Sequence, residues 1–148
     1  EFEIMKTHTI IGHEIIKDSP SKYLQMGAVI ALSHHEKFDG TGYPHKLGNT
    51  DIPLPARIVS VADAFDALTS ARPHKSVWSI ERALDYLHQQ RGKKFDPHCL
   101  DAFISQLDRI SNIQFMLGDK ADDVAVNLRT RPYHLEGVPA HNVTCVSR

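Results

Sequence analysis

Leu54-Pro55-Ala56-Arg57-Ile58-Val59-Ser60-Val61-Ala62-Asp63-Ala64-Phe65-Asp66-Ala67-Leu68-Thr69-Ser70 is the stretch on which the fold turns. Ile58, Val59, Val61, Ala62, Phe65 and Leu68 give it a broad apolar face at helical spacing, as expected of a helix central to a core. Pro55 suits the first turn, where its missing amide costs no hydrogen bond, and Arg72-Pro73 stops the helix. Upstream, Tyr23, Leu24, Met26, Val29, Ile30 and Leu32 predict a helix that follows the turn Asp18-Ser19-Pro20-Ser21 and ends near His34-His35-Glu36. Before that turn, Ile4, Ile11, Ile15 and Ile16 predict one helix over 1–17. No capping residue precedes it, so the chain is expected to begin inside an element. Downstream, Ser79 caps a helix through Ala83, Leu84 and Leu87 that closes at Gly92. Asp96-Pro97 opens another through Leu100, Phe103, Ile104 and Leu107. Beyond Ile110 the periodicity fades, and only Val124 to Leu128 hints at a short strand. The expectation is an all-α helical bundle of about five helices, with a domain over 1–110 and an irregular tail over 111–148.

Composition narrows the function. Seventeen Lys+Arg against 18 Asp+Glu leave no chain-wide basic field to attract DNA or an anionic membrane, so any anionic ligand must be held by a local cluster. The longest apolar stretch, Met26 to Leu32, is far short of the roughly 20 residues that span a bilayer. Nothing at the N-terminus resembles a signal peptide. Cys99 and Cys145 stand in no metal-spaced motif and read as free thiols in a reducing compartment, the cytoplasm. Ten histidines are many for this length and hint at metal.

Three places carry candidate chemistry. Between helices, 39–53 is a Gly- and Pro-rich loop of a length that is often functional. At its root stand His34 and His35, and neutral imidazole is the commonest metal-ligand side chain. An isolated His-His pair would read as two surface histidines, and His8, near Ile4 and Ile11, as a boundary histidine satisfied by a carbonyl. Asp63 is costly to bury in so apolar a helix unless it is paired or metal-bound. Its structural alternative is a carboxylate capping a neighbouring element through Ser60 or Arg57, and Asp66, one turn on, is given such a structural role. Together, three imidazoles and a carboxylate on three successive helices can converge in a bundle core. Mixed N and O ligands suit Fe, Mn, Zn or Ni rather than Ca or Mg. Arg72 and Lys75 offer a fork and a point charge for phosphate, or simply complement the helix dipole.

The run His34-His35-Glu36-Lys37-Phe38-Asp39-Gly40-Thr41-Gly42-Tyr43-Pro44 resembles the HHExxDGxGYP signature of the HD-GYP phosphodiesterases. Met5-Lys6-Thr7-His8-Thr9-Ile10-Ile11-Gly12 is similar to the family's MKxHxxIG, Ile52 to Ile58 to IPLxARI, and Val61 to Ser70 to VADxFDALTS. Arg72-Pro73-His74-Lys75 resembles RPYK with His for Tyr, and Gly92 to Pro97 the closing GxxFDP. The resemblance runs in order from Glu1 to about Leu107. It implies a bundle of the HD type and an enzyme that cleaves cyclic di-GMP to pGpG, in some members onward to GMP, by in-line attack of a metal-bridged hydroxide. It also implies metal ligation by His8, His34, His35 and Asp63, of which His34, His35 and Asp63 are also catalytic. Two or three metals are implied, Fe or Mn first, with Ni or Zn as alternatives. Gly42, Tyr43, Pro44, Arg72 and Lys75 would bind substrate, and Glu36 would orient a metal ligand from behind. Implied partners are GGDEF-domain proteins at the loop and an N-terminal sensory or receiver domain; a face left bare by the missing upstream helices would favour a homodimer. The His-Asp pair that names the family occurs nowhere in the chain, so its helices are expected upstream of Glu1. The competing reading is a catalytically inactive module that binds nucleotide or protein. A further one is an HD-type phosphohydrolase acting on another nucleotide.

Overall fold

The computed structural model describes residues 2–71 and 76–117. Among them are seven α-helical segments: α1 (Phe2–Lys6), α2 (His8–Ile16), α3 (Lys22–Ser33), α4 (Leu54–Thr69), α5 (Ile80–Gln89), α6 (Pro97–Ile104) and α7 (Leu107–Leu117). No strand is present among the described residues, and the fold class is all-α. The predicted first helix is interrupted at Thr7, whose backbone stays helical (φ −65°, ψ −18°). Its hydroxyl donates to the Ile4 carbonyl at 2.7 Å, competing for the helical ladder as threonine does. The last predicted helix ends at Ile104, and α7 then runs through position 110 to Leu117. The proposed boundary at 110 therefore falls inside a helix. α4 ends at Thr69, before Arg72-Pro73.

α4 is the hub, packing on α3, α5 and α6. Ala56, Ser60, Val61, Ala64 and Phe65 form its buried face. Val61, Ala64 and Phe65 close the core with Ala83, Leu87, Phe95 and Leu100, and Phe65 meets the Phe103 ring edge-on at 5.2 Å. Burying side chains of this size contributes about 1.5–3 kcal/mol each. Ser79 and Asp96 cap α5 and α6 as predicted, accepting from the Arg82 amide at 3.2 Å and the His98 amide at 2.8 Å. Asp96 is buried and also takes Arg57 at 2.5 Å. Burial pushes its carboxyl up, but the guanidinium and the His98 and Cys99 amides outweigh that and hold it below its usual range. Arg57 is thus committed to Asp96 and not to Asp63.

The α2–α3 hairpin packs against expectation. Ile4, Ile11 and Ile15, three of the four residues whose spacing predicts the first helix, are 54–75% exposed. The inward face of α2 is Thr9, Gly12, His13 and Ile16, a helical stripe on which Ile16 is the one large apolar residue. A side chain at Gly12 would stand 3.3 Å from Ala31 Cβ, and one at Gly27 3.3 Å from Ile16 Cδ1. The two helices approach closely because these positions carry no side chain. His13 fixes the crossing through its contact with the Ala28 carbonyl at 3.1 Å. This close crossing sets His8 against the end of α3. No helix among the described residues is long and apolar enough to cross a membrane.

Candidate metal centre

His8 opens α2, and His34 and His35 follow the last turn of α3. Adjacent helical residues diverge, yet here the helix has just ended and both rings turn the same way, their centroids 4.0 Å apart. One ring nitrogen from each of His8, His34 and His35 lies within 4.8 Å of the others. The hydrogen bonds fix the tautomers. His8 Nδ1 lies 2.5 Å from the Met5 carbonyl, and His34 Nδ1 lies 3.0 Å from the carbonyls of Ile30 and Ala31. A carbonyl only accepts, so each Nδ1 carries the proton. In the neutral rings both Nε2 lone pairs are then free, and they face each other at 3.5 Å. Two acceptors so placed repel unless a proton or a metal cation stands between them. His35 is held neutral, pushed down to about 4 by burial first and then by its neighbours His34 and His8. The donor set therefore fits a divalent transition metal.

Asp63 departs from its predicted burial. It projects from α4 between buried Val61 and Ala64, yet it is exposed. A residue two past Val61 is rotated about 200° from it on a helix, off the core face. Its carboxylate lies outside the tight imidazole cluster but near it, acting on His35, Tyr43 and Lys94 through its charge. Asp66 accepts from the Ser70 hydroxyl at 2.6 Å, a local role at the end of α4.

The loop after α3 roofs the cluster. Tyr43 lies over His35 with ring centroids 4.9 Å apart, and its amide donates to the His35 carbonyl at 3.2 Å. Burial first, then Asp63, raises the Tyr43 phenol above its ordinary value. Lys6 Nζ sits 5.7 Å from the Tyr43 ring centroid while paired to Glu3 at 2.7 Å. Gly42 fits where nothing else could, since a Cβ there would come within 2.3 Å of the Lys37 amide nitrogen and 2.5 Å of Glu36 Cα. The Tyr43–Pro44 peptide is cis.

Glu36 does not orient a histidine. It is 2% exposed, and its two oxygens accept from the His45 and Leu47 amides at 2.7 and 3.0 Å. Its carboxylate faces the far limb of the loop, where satisfying two amides outweighs any reach toward the rings. The α5–α6 turn closes the other flank. Phe38 and Asp39 amides donate to the carbonyls of Lys94 and Lys93 at 3.2 and 2.8 Å. This lacing brings in Lys94, which sequence reading passed over. It lay inside the Gly92-to-Pro97 block, at a position that neither periodicity nor residue chemistry sets apart. Arg72, His74 and Lys75 lie outside the described residues, as do 118–148 of the tail.

Comparison with known proteins agrees with this architecture. The family model described as HD domain matches residues 1–99. The chain belongs to the HD domain family, in its HD-GYP branch. Among its relatives is the cyclic di-GMP phosphodiesterase response regulator RpfG of Xanthomonas campestris pv. campestris, 52% identical over 113 residues, which covers 74% of this chain and 30% of that protein. A cyclic di-GMP phosphodiesterase of Thermotoga maritima is 45% identical, covering 76% of this chain and 31% of that one. A 3'3'-cGAMP-specific phosphodiesterase of Vibrio cholerae is 38% identical, covering 80% and 23%. This HD-GYP chain spans less than a third of the length of these curated relatives.

Proposed function

We propose that the full-length protein is a metal-dependent phosphodiesterase that hydrolyses cyclic di-GMP, with pGpG or GMP as the end product, in cytoplasmic second-messenger signalling. The observation that carries this reading is the pair of Nε2 atoms facing each other at 3.5 Å, both left as acceptors in the neutral rings by Nδ1 contacts to main-chain carbonyls. His8, His34 and His35 would hold metal, with Asp63 joining from α4. Fe or Mn suits this set, with Ni or Zn as alternatives and two or three ions per complete site. When bound, such a metal supplies Lewis-acid polarisation of the phosphodiester and acidifies water.

The chain's own residues then have distinct tasks. Tyr43, with Gly42 and Pro44, forms a wall that narrows access to His35 and would pack against the nucleotide. Arg72 and Lys75 would grip phosphate oxygens. The same loop, exposed at Thr41 and His45, would offer a contact for GGDEF-domain proteins. The catalytic unit would take in the helices through α7 (Leu107–Leu117). The 38% identity to a 3'3'-cGAMP-specific enzyme supports a second substrate reading, a mixed guanine–adenine cyclic dinucleotide.

The test is hydrolysis by the purified full-length protein loaded with Mn(II) or Fe(II), with cyclic di-GMP and 3'3'-cGAMP offered separately and in competition. Metal content is measured by elemental analysis on the same samples. Cleavage of cyclic di-GMP is expected, with at least about a hundredfold loss of rate and loss of metal in His34→Ala. Preference for 3'3'-cGAMP would select the second substrate. Metal-loaded protein that leaves both uncut would replace the enzyme by a binding module.

A further inference from the structure

We infer that Lys94 binds a non-bridging phosphate oxygen of the substrate at the edge of the His8–His34–His35 cluster, on the flank formed by the α5–α6 turn. The inference rests on the phosphodiesterase reading for the identity of the anion. Three observations carry it. First, the backbone around Lys94 is fixed from two sides. Its carbonyl accepts from the Phe38 amide at 3.2 Å, its own amide donates to Gln90 at 3.0 Å, and Phe95 beside it is a buried core residue. The side chain lies along that anchor with Nζ 5.1 Å from the Phe95 ring centroid, so its stem is packed and its ammonium is placed.

Second, Lys94 is half-buried with no carboxylate in ion-pair contact among the described residues. Its charge acts on His35, three residues before the Phe38 amide that its own carbonyl holds, and the charge of Asp63 acts on it. Burial lowers its pKa, Asp63 opposes that shift, and Lys37 adds to it.

Third, the local charge does not close. Asp63 is the acidic group acting on His35, Tyr43 and Lys94 alike. If Asp63 turns to a metal, Lys94 loses the one carboxylate whose charge acts on it. A phosphodiester oxygen restores the balance, and lysine meets it as a point charge needing no fixed fork. This is the local cationic cluster that a nearly neutral chain requires to hold an anion.

Full-length protein is compared as wild type, Lys94→Met and Lys94→Arg, the Met variant keeping an apolar stem over Phe95 while removing the charge. Three measurements are made: kcat and KM for cyclic di-GMP with Mn(II), bound metal by elemental analysis, and calorimetric binding of inorganic phosphate to the metal-loaded protein. Lys94→Met is expected to lower kcat/KM and phosphate affinity about tenfold or more at unchanged metal content, and Lys94→Arg to restore most of both. A Lys94→Met enzyme within about twofold of wild type would overturn the inference, as would one that loses metal along with rate. If the wild type cuts no cyclic dinucleotide, the phosphodiesterase reading fails separately, and phosphate binding decides for Lys94. Loss in Lys94→Met then upholds an anion site, and equal binding removes it.

Discussion

His35 concentrates the physics of the site in one ring. Burial under Tyr43 removes water that would stabilise imidazolium, and the neighbouring His34 and His8 add to the shift, so the ring is pushed down to about 4. The sign of the consequence follows from proton counting. Between about pH 4 and 6.5 the unfolded chain binds a proton at His35 that the folded chain refuses. Folded stability from this ring is therefore full above about 6.5 and is lost as pH falls toward 4. Histidine-resolved NMR on metal-free protein should show His35 titrating near 4. Tyr43→Ala, by readmitting water, should move it up toward 6.5, and His34→Ala should do the same by removing a neighbour that opposes its protonation. A wild-type His35 titrating at 6.5 would mean the ring is not shielded, and the roof assigned to Tyr43 would go with it.

At the scale of the element, the loop from His34 to Pro53 holds its shape by backbone hydrogen bonds to Glu36. Replacing Glu36 with Ala strands the His45 and Leu47 amides beside a buried gap. Each orphaned donor costs about 1–3 kcal/mol, so urea unfolding should show a loss of roughly 2–5 kcal/mol. Glu36→Gln keeps one acceptor oxygen and should lose about half as much. Equal stability in Glu36→Ala would show that water replaces the carboxylate. Which helices exist was legible in the sequence because capping and proline placement act locally: Ser79, Asp96-Pro97 and Pro55 each sit where they were read. The duty of Glu36 was not legible, because its partners lie 9 and 11 residues away across a turn that only the folded loop closes. Asp63 was misread for a related reason. Apolar neighbours in sequence do not fix a side chain's direction when the helix is buried on one side only.

Across the whole molecule, burial is unevenly shared. α4 alone buries five residues, whereas α1 buries none, α2 only Thr9, and α3 only Ala28 and Ser33. The metal-ligand candidates His8, His34 and His35 all sit on that lightly buried hairpin, while the apolar core belongs to α4–α6. The isoleucine spacing gave the helix but not its packing face, because α2 meets α3 through Gly12, Gly27 and Ala31, with Ile16 the one of the four isoleucines in that contact. Segments with few buried contacts open at low free energy, so in metal-free protein the amides of α2 should exchange hydrogen well before those of α4 and α6. If His8 shares an ion with His34 and His35, opening α2 must release that ion, and binding opposes it by RT ln(1 + [L]/Kd). With free Zn(II) or Mn(II) at about 100 times Kd, α2 exchange should slow about a hundredfold, while α5 and α6 change little. His8→Ala should abolish the slowing in α2 even where His34 and His35 still take up metal. Exchange in α2 that ignores metal in the wild type would restrict the site to the end of α3. His8 would then be a histidine that merely faces its neighbours.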